Sequence, residues 1–173
     1  MTEPSALQGL LQDLAGQERH SPRSDVVRLV VRLRARDACE FCLLPTVGQF
    51  HGAHVVPPSA WKGEGPGPDH VDNYAWCCPF CNAARAGRTD AKVDGAGQRL
   101  YDPRVDHWRD HFAFGPERLT VVGTSPTGRA TETALAFNDP RPGRSLWQRQ
   151  RVVADGQYPS SWAKSYPAVD EGG

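Results

Sequence analysis

Apolar residues recur at helical spacing in two stretches near the start of the chain. Leu7, Leu10, Leu11 and Leu14 fall on one side of a helix over 5–16. That stripe is read as packing against the core, with an interface to a partner as the other reading. A polar, proline-bearing linker over 17–24 follows. Val26, Val27, Val30, Val31 and Leu33 then define a second amphipathic helix from Asp25 to Arg36, with Ser24 or Asp25 as its N-cap. Arg28, Arg32, Arg34 and Arg36 occupy the rest of its surface. On general grounds this is a solvated face, although guanidinium groups there could touch phosphates.

The pattern then shortens. Phe50, Val55 and Val56 predict a strand through Gln49–Val56, stopped by Pro57-Pro58 because proline cannot donate to a ladder. A Gly- and Pro-rich loop covers 58–72. Tyr74-Ala75-Trp76-Cys77 is the predicted return strand, and a helix over 79–86 follows with Pro79 in its first turn. Residues 87–104 read as a polar, Gly-rich connection, and Val105 to His111 as a helical turn. Phe112-Ala113-Phe114 and Leu119–Gly123 predict a hairpin through Gly115-Pro116. Thr127 is the predicted cap of a helix running to Phe137, and a last helix spans Ser145 to Ala154. Beyond Asp155 periodicity ends, which predicts a mobile or surface-draped tail. The fold class is α+β. The expected organisation is an N-terminal helical extension over 1–24, a body over 25–155 and an irregular tail over 156–173.

Composition narrows this picture. A chain of 173 residues can form one domain with a real core, but 17 Gly and 15 Pro imply many loops and a need for a staple. Twenty basic and twenty acidic side chains cancel, so nucleic-acid binding would have to come from a local patch. No run of 18 apolar residues is present, and no membrane span is expected. Met1-Thr2-Glu3-Pro4 lacks the basic and apolar regions of a secretory signal, so the expected location is cytoplasmic. Reducing surroundings favour metal binding over disulfides for the five cysteines.

Cys39, Cys42, Cys78 and Cys81 form two Cys-x-x-Cys pairs. Two intervening residues let one turn aim both sulfurs at one ion, and two turns complete the tetrahedron that zinc favours. Four thiolates leave no open position, so the expected Zn(II) is structural and its binding energy becomes folding energy. A redox pair and disulfides are the rival readings. Cys77, beside a ligand, is read as a spare buried thiol.

Between the pairs lies Phe50-His51-Gly52-Ala53-His54-Val55-Val56-Pro57, then Asp72-Asn73, and Asn82 follows the last cysteine. This order, with His54-Val55-Val56-Pro57, Asp72-Asn73 and Cys81-Asn82, resembles the HNH endonuclease family in its Cys-x-x-Cys-containing bacterial branch. Leu100-Tyr101-Asp102-Pro103-Arg104, His107-Trp108-Arg109-Asp110-His111-Phe112 and the segment Gly123 to Thr131 resemble the extension that follows the core in bacterial members. The likeness covers about residues 25–155. It implies a ββα-metal core stapled by the zinc site, with flanking helices and a C-terminal hairpin plus helix. It also implies hydrolysis of DNA phosphodiesters, with DNA as the partner. By position His54 is the general base, a role that suits imidazole near neutral pH. Asn73 orients the base through the loop, and Asn82 is a ligand of the catalytic Mg(II), or of Mn or Ni.

One position departs from the pattern. The acidic metal ligand before the base is Ala53, and a methyl group cannot ligate a cation. His51 shares the strand parity of position 53 but stands about 6.6 Å further along, and imidazole suits Mn, Ni or Zn better than Mg. Asp69 or Asp72 could swing in from the loop. Ala53 is thus compatible with a natural degenerate member, an engineered one, or a differently assembled metal site. Arg85, Arg88 and Lys62 are the candidate substrate contacts, since arginine matches phosphate geometry. The leading expectation is an HNH-type metal-dependent DNA endonuclease impaired at Ala53. The alternative is a catalytically inactive, zinc-stabilised module that binds nucleic acid or protein.

Overall fold

The computed structural model of the chain describes residues 3–14, 17, 19–63, 65–93 and 96–169. Helix α1 (Glu3–Leu14) packs on α2 (Asp25–Arg34). Leu14 is buried, and Leu7 and Leu10 lie against the core, while Leu11 stays exposed. The stripe therefore serves packing within the chain, and residues 15–16 of the expected helix lie outside the described residues. Val27, Val30 and Val31 bury the inner face of α2. Ser24 is its N-cap by backbone geometry, without a side-chain hydrogen bond.

Strand β1 (His51–His54) pairs antiparallel with β2 (Tyr74–Cys77), placing Ala53 opposite Ala75 and His54 opposite Tyr74. Both strands rest on α2, and helix α3 (Pro79–Arg85) follows β2 and contacts β1. All of β2 is buried, whereas His51 is exposed, so β1 presents its outer side to solvent. The expected strand over 49–56 is shorter than predicted. Val55 N–H still donates to the Asn73 carbonyl (2.7 Å), but Val56 N–H donates to the Asn73 side chain instead of a ladder.

A hairpin of β3 (Asp90–Val93) and β4 (Ala96–Arg99) falls where only a connection was expected. Its apolar alternation is too weak to read, and it is secured by packing on α5 (Pro126–Ala134). Helix α4 (Trp108–His111) leads into β5 (Phe112–Phe114), which pairs with β6 (Val121–Gly123) as predicted, and α6 (Ser145–Val153) closes the order. The α5 cap is Ser125, whose Oγ accepts from Gly128 N–H, and not Thr127, which lies buried inside the helix. The fold is thus mixed α+β, with three two-stranded antiparallel sheets among the described residues.

Two glycines fix the crossing of α5 over β6. A Cβ on Gly128 would stand 1.9 Å from the His111 carbonyl oxygen, and one on Gly123 would stand 2.3 Å from Arg129 N. Phe112, Phe114 and Phe137 are fully buried in the core. Trp108 ties this half to the first cysteine turn by donating Nε1–H to the Phe41 carbonyl at 2.9 Å. The segment expected to be an irregular tail is ordered by burial. Tyr158 and Ala163 are buried, Ser161–Ser165 form a 3-10 turn, and Phe114 bridges to Ala168. These contacts are long-range and leave no local period to read. Residues 170–173 of that tail lie outside the described residues.

Candidate functional site

The two cysteine turns meet in the core. After Cys39, Leu43 adopts a positive φ of 57°, which folds the chain back so that Cys39 N–H reaches the Leu44 carbonyl at 2.8 Å. Cys78 caps α3, its sulfur accepting from Cys81 N–H at 3.4 Å, and Pro79 starts the helix. The sulfurs of Cys39, Cys42, Cys78 and Cys81 consequently lie within 4.8 Å of one another, all buried. Cys42 and Cys78 are 3.8 Å apart. A zinc ion at about 2.3 Å from each thiolate requires sulfur–sulfur edges of roughly 3.8 Å. The cluster therefore fits a metal ion such as zinc. No cysteine is in a disulfide, and Cys77 is buried outside this set.

Burial pushes the Cys78 and Cys81 thiols well above the ordinary range. Burial opposes ionisation of Cys39 too, but hydrogen bonds from the neighbouring thiols outweigh it and bring Cys39 well down. Thiolate ligands must lose their protons to hold a dication, so metal uptake at these buried thiols releases protons.

On the outer side of β1 lies a cleft of about 330 Å³ lined by His51, Gly52, Ala53 and His54, with Pro57, Asn82, Arg85 and Gly87 beside them. Its far wall is Pro22, Arg23 and Arg28, from the linker and α2. The structure thus brings together His51, Ala53, His54, Asn82 and Arg85 from the sequence reading. It adds Arg23 and Arg28, whose only signal was basic character on a helix face and its preceding linker. Their approach to β1 is a tertiary contact. Asn73, Lys62 and Arg88 do not line the cleft.

Several expected roles change. Arg85 is buried, and its guanidinium donates to the carbonyl oxygens of His54 and Val55 while lying 5.5 Å over the Phe41 ring. It supports the site from the backbone side through one donor on each Nη. Arg88 bonds the carbonyls of Ala84 and Ala134 (3.0 Å for the latter), bridging α3 to α5. Lys62 is exposed on the loop. Asn73 clamps the loop: its Oδ1 accepts from Val56 N–H at 2.9 Å, and its Nδ2 donates to Val56 O (2.7 Å) and Pro68 O (2.8 Å).

That clamp positions Asp69, which orients His54. Asp69 Oδ1 stands 3.0 Å from His54 Nε2, and Oδ2 is 2.5 Å from Arg19 Nη2. The His54 and Arg19 contacts hold the Asp69 carboxyl below its usual range. An ionised Asp69 selects the tautomer with hydrogen on Nε2, leaving Nδ1 as the nitrogen able to take a proton. The His54 ring packs edge-on against Tyr74, centroids 4.9 Å apart.

The expected divalent cation does not fit this cleft. Among the described residues no carboxylate lines it, and the cysteine set is the only group of three or more His, Cys, Asp or Glu side chains close enough to hold an ion. Asp72 faces Arg34 and His70 at 3.4 Å each, and Asp69 is engaged as above. Asn82 contributes one neutral amide, whereas magnesium needs several hard oxygens. Three guanidinium groups lining the cleft make it attractive to anions and repellent to a dication.

No family model, no curated protein and no solved structure matches this chain.

Proposed function

We propose that the chain is an HNH-type protein acting on DNA, with a ββα core stapled by a structural zinc ion and the β1 cleft as the seat of a phosphodiester. The observation that carries this reading is the lining of that cleft: His51, His54, Asn82, Arg23 and Arg28 around Ala53, with no carboxylate among the described residues. Arg23 and Arg28 would bind phosphate oxygens by the fork geometry that guanidinium shares with phosphate. A cleft of one charge sign concentrates an anionic strand even though the chain as a whole is neutral. His54, held by Asp69, would take the proton of a water attacking phosphorus, the new P–O bond replacing the bond to the leaving oxygen. This step is assigned to protein groups alone.

Ala53 favours a second reading, in which the cleft binds DNA and does not cut it. Plasmid nicking, measured with Mg(II), Mn(II), Ni(II) and chelator, separates the two. Chelator-resistant nicking that is lost in His54→Ala supports hydrolysis by His54, and nicking that persists in His54→Ala rejects that base. DNA binding without nicking in any condition supports the second reading. Loss of neither function on replacing Arg23 and Arg28 together would reject the cleft itself. Ala53→Glu supplies the missing carboxylate, and metal-dependent nicking gained by that variant would support the HNH assignment of the frame.

A further inference from the structure

A second cavity of about 540 Å³ lies away from β1, between the end of α2, the 103–109 segment and the 3-10 turn at Ser161–Ser165. Four guanidinium groups line it: Arg34, Arg36, Arg104 and Arg109. Arg34 and Arg104 are largely withdrawn from solvent, with side chains 25% and 16% exposed. Arg36 and Arg109 are exposed, stacked over Trp162 (5.5 Å) and Tyr166 (4.2 Å).

The chain's own acids do not balance this charge. Glu40 pairs with Arg104 but also accepts the Trp76 N–H at 2.7 Å. Asp106 also lines the cavity, but its two oxygens are taken by Arg99 at 2.6 and 2.8 Å. Asp72 reaches Arg34 at 3.4 Å and is mostly in solvent. Among the described residues Arg36 and Arg109 have no carboxylate partner. Of the four cations, Arg104 thus has Glu40 and Arg34 has the distant Asp72, while Arg36 and Arg109 face no acid. Burial, with Arg34 beside it, brings the Arg104 guanidinium down to about 9. Three buried donors at this site, Arg34 Nε, Arg104 Nε and Trp162 Nε1, lack any partner. Gathering like charges at one cavity costs free energy that a bound anion would recover.

We propose that this cavity binds a phosphate ester of about mononucleotide size, gripped by Arg36 and Arg109 and held in the field of Arg34 and Arg104. The volume lies within the range of small-molecule sites, and the walls supply aromatic and guanidinium planes against which a flat ring can lie. A phosphate can be doubly charged and accept several forks at once, which suits the excess of cations. This site is independent of the β1 cleft and of the function proposed for it.

The test is calorimetric titration of the zinc-loaded full chain at low ionic strength. Probes are inorganic phosphate, a deoxynucleoside monophosphate, and a dinucleoside monophosphate that carries only an internal diester. Saturable one-to-one binding of at least one ester is expected, weakened about tenfold or more in Arg36→Gln/Arg109→Gln. Both substituted residues are exposed, so the fold should survive, and circular dichroism checks that. Arg28→Gln, which alters only the β1 cleft, should leave unchanged the binding component that is lost in Arg36→Gln/Arg109→Gln. Preference for the monophosphate identifies a free nucleotide, and preference for the diester identifies a strand phosphate. The proposal is overturned by no saturable binding up to about 5 mM, by equal binding in the double variant, or by loss in Arg28→Gln instead.

Discussion

Replacing Arg85 by alanine removes a buried side chain that joins the end of β1 to α3. The guanidinium donates to two carbonyl oxygens, those of His54 and Val55, and covers the face of Phe41. Each charge-assisted bond is worth about 1.5–3 kcal/mol net, and the ring contact adds roughly 0.5–1 kcal/mol. Arg85→Ala should therefore cost roughly 3.5–7 kcal/mol, set against a total stability of about 5–15 kcal/mol for a domain. For a chain of this size the melting temperature should fall on the order of 10 °C. The assay is thermal unfolding by circular dichroism with zinc present, beside a denaturant titration of the same variant. DNA binding should weaken only as far as the cleft loosens. If Arg85→Ala melts with the parent yet loses DNA binding, the guanidinium is free to meet phosphate and the carbonyl-capping account is wrong.

Three further outcomes follow from the same structure. Cys81→Ser should abolish stoichiometric metal uptake, measured by elemental analysis, and leave a chain that no longer unfolds cooperatively, because the four sulfurs join two distant turns; retention of one ion per chain would contradict this. Arg28→Gln should reduce the slope of log K against log salt for DNA binding by about 0.9, the value for one phosphate contact, and an unchanged slope would remove Arg28 from the interface. Burial, with a smaller contribution from Asp106, raises the Asp102 carboxyl above its usual range. Its ionisation therefore costs stability as pH rises from the unfolded pKa of about 3.9 through the higher folded value. Asp102→Asn should be more stable than the parent at neutral pH and match it below that window in denaturant titrations; a gain that persists in acid would point to another cause.

Much of the chain was decided locally. The valines of α2, the alternation in Phe112–Phe114, and the Pro79 start of α3 each carry their own period or cap, so those elements were readable from neighbours in sequence. The Cys-x-x-Cys pairs were readable too, because two thiols with two residues between them have few uses other than metal or redox chemistry. Tertiary structure alone decided the rest. It assigned Arg85 to backbone carbonyls and Arg88 to a bridge, brought Arg23 and Arg28 to the cleft, and placed Asp69 against His54, fifteen residues away. It also gathered Arg34, Arg36, Arg104 and Arg109 around one cavity. Periodicity reports which side of an element is apolar. It does not report where a long charged side chain ends, and that depends on which carbonyls, rings and carboxylates the folded chain leaves within its reach.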